Sequence, residues 1–293
     1  MVSFIILNYN THELTERCVE SIRRHIPAES YEIIVVDNDS RPDDREALKK
    51  ATGTTVRLMV NKMNTGFGAG NMLGAYAAKG DYLCFLNSDV YLTEDCVTPL
   101  CTYLHQHPET GVITPQQYDG EGRIVPSFDH APGIWIELLG NRPLEWLFPA
   151  RYPRRKHQHY THPFAATQIN GCFMLFPADK FWKAGGFDLN LFLYYEEFDI
   201  CSRLRKKGWN SVVYPGCRFS HLHEQSTRRI RSATIREMYI SRMYCYRKYH
   251  GLTTATLYRL VNLLIVLCKP HKWYILPVLW RGEALSLSLR HRT

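Results

Sequence analysis

Short apolar runs alternate with longer segments of helical pattern through the N-terminal part of the chain. Each run is too short for a helix and has the continuous apolar character of a strand buried on both faces of a sheet. This alternation predicts an α/β fold, Rossmann-like, in which a mostly parallel sheet carries helices on both faces. The apolar runs are 2–7, 32–36, 55–60 and 81–86, and the predicted helices between them are 12–25, 43–51 and 69–79.

Polar residues follow three of these predicted strands, at Asn8–Asn10, Asp37–Ser40 and Asn87–Asp89. Because ligands of such sheets bind at the carboxyl ends of the strands, we expect the three clusters to share one site. Asp89 is a candidate ligand for a hard divalent cation that bridges two phosphates. Asn-Ser-Asp is also ordinary turn chemistry, which is the alternative.

Two further features border this predicted site. Asp37 and Asp39 can accept hydrogen bonds from a nucleotide base or a ribose, or they can simply end the strand and cap the next helix. The glycine-rich turn 64–71 departs from the dinucleotide fingerprint, because Asn71 stands where the third glycine belongs and the turn follows the third strand. Such a turn can still bring backbone close to a ligand, with tight packing as the alternative.

Two adjacent acids, Glu196 and Glu197, begin the predicted helix 194–207 directly behind the aromatic run 192–195. A carboxylate beside apolar rings tends to have a raised pKa and can then deprotonate an acceptor hydroxyl. Acids in the first turn also suit the helix dipole without any further role. The pair is therefore a candidate general base, with a purely structural role as the alternative.

Two histidines, His221 and His223, follow the predicted strand 211–214. An imidazole in this position can complete a metal site. The chain contains 13 histidines, so the pattern alone favours an ordinary surface or core imidazole for either one.

Charge is distributed unevenly along the chain. Residues 1–226 carry 23 Lys/Arg and 26 Asp/Glu, whereas residues 227–293 carry 13 and 2. Basic residues that interleave with Tyr, Trp and Leu predict an amphipathic helical tail on an anionic membrane surface. A helical cap that packs on the main domain or dimerises is the alternative. We therefore divide the chain into a domain at 1–226 and a basic C-terminal region at 227–293.

Several features bear on localisation. No secretory signal is recognisable at the start, and no uninterrupted apolar stretch of about 18 residues is present. The nine cysteines are scattered without metal-site spacing and are predicted to be free thiols in a reducing compartment. We expect a cytoplasmic protein, peripheral on the inner face of the plasma membrane. The segment 115–165 is predicted to be a loop-like excursion on the acceptor side.

Six motifs in this order and spacing resemble the family 2 glycosyltransferases, which have the GT-A fold. The resemblance covers about 1–226, and the subgroup is similar to bacterial rhamnosyltransferases of polysaccharide and O-antigen assembly. Six ordered motifs are far more specific than any one of them. They are Phe4–Asn10, Val35–Ser40, Asn64–Asn71, Phe85–Asp89, Asn170–Cys172 and Phe187–Asp199.

The resemblance implies a role for each matching residue. The implied nucleotide-sugar-binding residues are Tyr9, Asp37, Asp39, Asn64, Gly66, Asn71 and Asn87. The implied ligands of a divalent metal, Mg²⁺ or Mn²⁺, are Asp89 and His221. The implied general base is Glu197, with Glu196 left unranked against it, and the implied acceptor-side residues are Asn170 and Gly171.

Three positions depart from the pattern of the family. Asn87 replaces the first acid of the DxD-type motif, so the metal would rest mainly on Asp89 and the diphosphate. Glu197 replaces a common Asp and is one methylene longer. His223 competes with His221 for the metal role, and only the motif alignment favours His221.

The implied activity is inverting, metal-dependent transfer of a sugar to a hydroxyl of a lipid-linked or polysaccharide acceptor in cell-surface glycan synthesis. The expected donor is dTDP-L-rhamnose, and a UDP-hexose or UDP-N-acetylhexosamine is the alternative. A catalytically silent nucleotide-sugar-binding scaffold at the membrane is the alternative of another class, favoured by Asn87 and disfavoured by the acids that remain. Nucleic acid is not an expected partner, because the strand-end acids would repel its phosphates.

Overall fold

The computed structural model describes residues 1–156, 158–222, 231–281 and 288–291. Its strands and helices alternate through the N-terminal part as predicted. The strands are β1 (Val2–Asn8), β2 (Tyr31–Asn38), β3 (Arg57–Asn61), β4 (Tyr82–Asn87), β5 (Val90–Leu92), β6 (Thr110–Tyr118), β7 (Phe128–Asp129), β8 (Phe164–Ala166), β9 (Gln168–Ile169), β10 (Phe173–Pro177) and β11 (Asn210–His221). The helices are α1 (His12–His25), α2 (Pro42–Thr52), α3 (Gly66–Ala77), α4 (Val97–Gln106), α5 (Ile134–Leu139), α6 (Asn141–Leu147), α7 (Ala178–Lys183), α8 (Glu196–Lys206), α9 (Arg231–Leu267) and α10 (Leu276–Arg281).

One large sheet organises the described residues, in the order β3-β2-β1-β4-β10-β6-β11-β5, with β8 also paired to β11. The four N-terminal strands β1 to β4 are parallel, as predicted. β10 runs antiparallel between β4 and β6, whereas β11 is parallel to β6. The α/β fold is therefore confirmed, and the sheet is mixed because β10, β5 and β8 each pair antiparallel with a neighbouring strand.

Apolar side chains on the two faces of the sheet form separate cores. On one face, Phe4 and Ile6 of β1 pack with Ile22 of α1. On the other face, Ile5 of β1 packs with Phe181 of α7 and Ile200 of α8. Helices thus cover both faces, as the continuous apolar strands predict. All nine cysteines are free, in agreement with the prediction.

The segment 115–165 is more regular than its composition suggests. β6 continues to Tyr118, β7 pairs with β9, and α5 and α6 follow. The two helices have six and seven residues, too few for a helical period to be recognised in the sequence. The expected loop-like excursion is therefore wrong for much of this segment.

The C-terminal region forms the long helix α9, which is kinked at Gly251 where φ is 79°. Its first part packs inside the protein, with Tyr239, Met243 and Tyr246 each less than 10% exposed. Its last turns expose a row of leucines, among them Leu257 and Leu264. By length and composition alone, Ser232–Leu267 could cross a membrane.

Candidate active site

The carboxyl ends of β1 and β2 meet in a buried polar network centred on Asn8. The amide nitrogen of Asn8 lies 3.0 Å from oxygens of Asp37, Ser40 and Asp44. The Thr15 hydroxyl donates to its amide oxygen at 2.8 Å. Asn8 belongs to the first polar cluster of the sequence, and the structure shows it as the residue that joins that cluster to the second.

The two strand-end acids of β2 have different environments. Asp37 is fully buried and accepts hydrogen bonds from Asn8 and from Arg45 Nε, both at 3.0 Å. Asp39 has left-handed backbone with φ 69°, and 39% of its side chain is exposed. Tyr9, on the neighbouring strand end, is half-buried. A ligand can reach Asp39 and Tyr9 directly, whereas Asp37 already has protein partners that hold the loop.

The glycine-rich turn is built around Asn64 and Gly66. The Asn64 side-chain oxygen accepts from the Gly66 amide at 2.9 Å and from Asn38 at 3.0 Å. Gly66 has φ 84°, and a Cβ there would lie 2.1 Å from the carbonyl oxygen of Phe192. Only glycine fits this approach. The next amide, of Phe67, donates to the same carbonyl at 2.8 Å, which ties the turn to the aromatic run before the acids.

Two asparagines of the site keep a buried side-chain oxygen without a partner among the described residues. They are Asn71 and Asn87. Asn71 is 1% exposed, and its amide nitrogen donates to Phe67 at 3.0 Å. Buried acceptors left unpaired are costly in a folded protein, and a bound water, ion or ligand can supply the missing partner.

Asp89 and His221 meet across the β5–β11 pair. His221 Nε2 lies 3.0 Å from Asp89 Oδ1, and the backbone amide of Leu222 donates to the Asp89 carbonyl at 3.0 Å. Both side chains are about 10% exposed, at 10% for Asp89 and 11% for His221. The structure thus brings together the two predicted metal ligands from positions 132 residues apart. His223 lies outside the described residues.

The side chains of Asp89 and His221 offer ligand atoms that fit a divalent cation, provided that its remaining ligands come from bound substrate and water. One carboxylate and one imidazole meet there, and Asn87 offers an unpaired buried oxygen on the same strand end. Over the described parts of the chain, no group of three or more His, Cys, Asp or Glu could hold a metal. Mg²⁺ or Mn²⁺ bound here would therefore depend on diphosphate oxygens and water, as such ions commonly do.

A chain of contacts joins this pair to the loop that carries Asn170 and Gly171. The Gln117 amide nitrogen lies 3.1 Å from His221 Nδ1, and Asn170 donates to the Gln117 side-chain oxygen at 3.2 Å. Asn170 also donates to the Pro126 carbonyl at 2.6 Å. Sequence reasoning missed Gln117, because a glutamine inside a buried strand carries no motif that separates it from other core-facing residues.

Glu197 faces the same loop. Its Oε2 lies 3.7 Å from the position that a Cβ on Gly171 would take, and its side chain is half-buried. Burial raises the pKa of Glu197 to about 7, and the charge of Asp129 contributes in the same direction. An acid with this pKa exchanges its proton near neutral pH, which is what a general base requires.

Glu196 differs from its neighbour. It is 2% exposed, and one of its carboxyl oxygens has no partner among the described residues. Its Cγ lies 3.4 Å from the Cβ position of Gly68, so it packs under the glycine-rich turn. Burial raises its pKa well above the ordinary range, and the charge of Glu197 adds to this effect. The geometry therefore ranks Glu197 first as the acid that a substrate can reach.

Two left-handed residues, Tyr194 and Tyr195, precede the acids, with φ of 70° and 72°. Such backbone is costly for residues other than glycine and persists only where its surroundings hold it. Helix α9 supplies that support. Ser241 donates to the Leu193 carbonyl at 2.8 Å, and Arg242 donates to the Tyr195 hydroxyl and to Glu137, the latter at 2.9 Å.

Comparison with known proteins identifies the family of this chain. The model of the family named Glycosyl transferase family 2 matches residues 3–179, more than half of the chain. A Mycobacterium tuberculosis N-acetylglucosaminyl-diphospho-decaprenol L-rhamnosyltransferase is 25% identical over 67% of this chain and 68% of its own length. Xenopus tropicalis polypeptide N-acetylgalactosaminyltransferase 11 is 34% identical over 76% of this chain, which spans 38% of that protein.

Solved structures show the same fold. GalNAc-T7, crystallised with UDP, GalNAc and Mn²⁺, superposes with a TM-score of 0.57 at 18% identity, over 84% of this chain and 49% of that one. S. aureus TarS 1-349 in complex with UDP-GlcNAc superposes with a TM-score of 0.56 at 14% identity, over 83% of this chain and 65% of that one. These structures share the fold, and the family model, which matches more than half of the chain, establishes that this chain belongs to glycosyl transferase family 2.

Proposed function

We propose that the protein is an inverting, metal-dependent glycosyltransferase that moves a sugar from a nucleotide-sugar donor to an acceptor hydroxyl. One observation carries the proposal. Contacts run without a break from Asp89 and His221, through Gln117 and Asn170, to the loop that faces Glu197. A candidate diphosphate-binding centre and a candidate general base thus border one site at the carboxyl ends of the strands.

The proposed reaction is a single displacement at the anomeric carbon. Glu197 takes the proton of the acceptor hydroxyl, and the oxygen attacks the anomeric carbon from the side opposite the nucleotide. The bond from that carbon to the phosphate oxygen breaks, and its electron pair leaves with the nucleoside diphosphate. Because there is one displacement, the configuration of the sugar inverts.

The remaining site residues have positioning roles in this proposal. Asp39 and Tyr9 contact the base and ribose, and Asp37 holds their loop. Gly66 allows the turn to approach the nucleotide. The unpaired oxygens of Asn71 and Asn87 accept hydrogen bonds from the nucleotide sugar or from water. A divalent ion held by Asp89 and His221 would offset the charge that develops on the leaving diphosphate.

The proposed donor is dTDP-L-rhamnose, supported by the mycobacterial L-rhamnosyltransferase at 25% identity. A UDP-sugar is the alternative, supported by fold neighbours in complex with UDP and UDP-GlcNAc. The proposed acceptor is a lipid-linked or polysaccharide glycan, on the side of Asn170 and Gly171. We place the protein in the cytoplasm, peripheral on the inner face of the plasma membrane.

The scaffold alternative rests on Asn87, which replaces an acid of the metal motif. It requires donor binding without turnover. The presence of Asp89, His221 and a half-buried Glu197 in one connected group favours the enzyme.

Donor turnover tests the proposal. Purified full-length protein would be incubated with a panel of dTDP- and UDP-sugars, with Mn²⁺, with Mg²⁺ and with chelator, and released nucleoside diphosphate would be measured. We expect metal-dependent release from one donor, with dTDP-rhamnose first. Donor binding without release from any donor, in the presence of glycan acceptors, would support the scaffold instead, and folded protein that binds no donor would refute both.

A further inference from the structure

A cavity of about 410 Å³ lies between α5, the segment that follows α6, and α9. It has the size of a small-molecule site and shares no lining residue with the Asp89–His221 group. Aromatic rings form much of its wall, including those of Trp135, Tyr152 and Tyr246. The same wall carries two guanidinium groups, of Arg151 and Arg205.

The charge of this cavity is positive. Arg205 donates to the Thr167 carbonyl at 2.8 Å, but within the described parts of the chain neither Arg205 nor Arg151 forms an ion pair with a carboxylate. His250 also lines the cavity, and no described lining residue is acidic. Two unneutralised guanidinium groups at one cavity favour an anionic ligand, and phosphate matches their planar donor geometry.

Tyr246 gives a second, independent indication of a ligand. Its side chain lines the cavity and the residue is 1% exposed, yet its hydroxyl has no hydrogen-bond partner among the described residues. A buried tyrosine hydroxyl normally finds a partner. A phosphate oxygen in the cavity would supply one.

The position of the cavity suits an acceptor substrate. Arg205 lies eight residues after Glu197 on the same helix α8, about 12 Å along the helix axis. This distance is comparable with one sugar joined to a diphosphate. On the outer side, Trp135 is 60% exposed and Leu138 of the same helix is 53% exposed, so an apolar chain could leave the cavity along α5.

We propose that this cavity binds the diphosphate of an acceptor in which a sugar is linked through phosphate to an apolar chain. The two arginines bind the phosphate oxygens, the Tyr246 hydroxyl donates to one of them, and the apolar chain lies over Trp135. This proposal deepens the proposed function and rests on it, since it assigns the phosphate-binding part of the acceptor site.

Binding of geranyl diphosphate to the intact protein tests the assignment without any donor. Calorimetric titration would be done in EDTA, which removes the divalent ion through which a diphosphate could bind at Asp89. We expect saturable binding that weakens as salt is raised, and no comparable binding of geraniol, which lacks the phosphates. Equal binding of geraniol, or no binding of geranyl diphosphate, would overturn the proposal.

Variants locate the binding. Arg205→Gln and Arg151→Gln should each weaken it about tenfold, the usual effect of losing a hydrogen bond to a charged group. Arg142→Gln, at an exposed arginine of α6 outside the cavity, is the matched control and should bind as the parent does. Affinities that are equal in all three variants would overturn the assignment.

Tyr246→Phe separates a binding role from a packing role. Because the hydroxyl has no hydrogen-bond partner among the described residues, its removal should leave thermal stability unchanged or raise it, while geranyl diphosphate binds several-fold more weakly. A variant that is as stable as the parent and binds geranyl diphosphate with parental affinity would contradict the role of Tyr246.

Competition with lipid vesicles distinguishes an acceptor diphosphate from the phosphate of a membrane headgroup. Vesicles of phosphatidylglycerol should leave geranyl diphosphate binding unchanged if the cavity takes an acceptor diphosphate. Complete competition would show a site for membrane headgroups and overturn the acceptor assignment. Donor binding by Arg205→Gln, measured with metal, should equal that of the parent, so failure of this cavity is distinguishable from failure of the proposed function.

Discussion

At the scale of single residues, the two adjacent acids show how a difference in burial gives side chains of the same type different properties. Glu196 and Glu197 are identical in type and both begin α8, so neither their residue type nor their place in the helix ranks them. The structure encloses Glu196 under the glycine-rich turn and leaves Glu197 half-buried beside Gly171. The two acids differ in whether a substrate can reach them, and this depends on loops that are distant in sequence.

The pKa of Glu197 predicts the pH dependence of the reaction. A base with a pKa of about 7 is protonated and inactive below that pH, so kcat should rise between pH 6 and 8 and then level off. Glu197→Gln should lower kcat by about 100-fold or more. A parent profile that stays flat across this range would contradict the role of Glu197.

Glu196 predicts a dependence of stability on pH. Its folded pKa is raised above the unfolded value of 4.5, so its contribution is fully present below pH 4.5 and is lost as pH rises through the folded pKa. Glu196→Gln cannot ionise, so its melting temperature should fall less than that of the parent between pH 6 and 9. If the melting temperatures of the two proteins change with pH in parallel, the pKa of Glu196 is the same in the folded and unfolded states, which would contradict the prediction.

At the scale of elements, the N-terminal strands and helices were predictable because their apolar periods are long and regular. The direction of β10 was not, since no local pattern records whether a strand enters a sheet parallel or antiparallel. The pairing of Asp89 with His221 could be proposed only through the motif resemblance. Gln117 and the support of α8 by α9 depend on contacts between distant segments, which residue patterns do not reveal.

Lys248 of α9 anchors the helix that carries the acids. Its ammonium lies 2.6 Å from Asp188 and also pairs with Asp199, which is fully buried. Among the described residues, Lys248→Met leaves Asp199 with Arg203 as its remaining cation. The change should lower the free energy of unfolding by roughly 1–3 kcal/mol.

Urea unfolding would measure this loss, with Lys207→Met, at an exposed lysine just after α8, as the control. We also expect a lower kcat for Lys248→Met, at an unchanged KM for the sugar donor, because α8 carries the acids and would shift without its anchor. Unfolding curves that coincide for the Lys248 and Lys207 variants would refute the anchoring role.

At the scale of the whole molecule, the basic C-terminal region has two kinds of surface. The first part of α9 packs against the N-terminal domain, through Ser241, Arg242 and Lys248. The last turns expose apolar side chains. The packed part corresponds to the helical cap and the exposed part to the membrane-surface helix, the two alternatives derived from sequence. The domain boundary at 226/227 stays a prediction.

The exposed leucines predict membrane binding. Leu257, Leu260, Leu264 and Leu267 lie on one helical face and are 48–65% exposed. Leu257→Asp combined with Leu264→Asp should weaken binding to anionic vesicles at least tenfold, because each change removes buried apolar area and adds a repelled charge. Vesicle sedimentation measures this, with Tyr76→Asp on α3, 72% exposed, as the control. Equal sedimentation of both variants would exclude this face.

The roles of Asp89 in donor binding and of Glu197 as general base are tested most directly by comparing Asp89→Ala with Glu197→Gln in donor binding and in turnover, with Mn²⁺ present. We expect that Asp89→Ala loses metal-dependent donor binding, whereas Glu197→Gln binds the donor with parental affinity and fails to turn it over. Parental donor binding by folded Asp89→Ala would contradict the role of Asp89, and parental turnover by Glu197→Gln would contradict the role of Glu197.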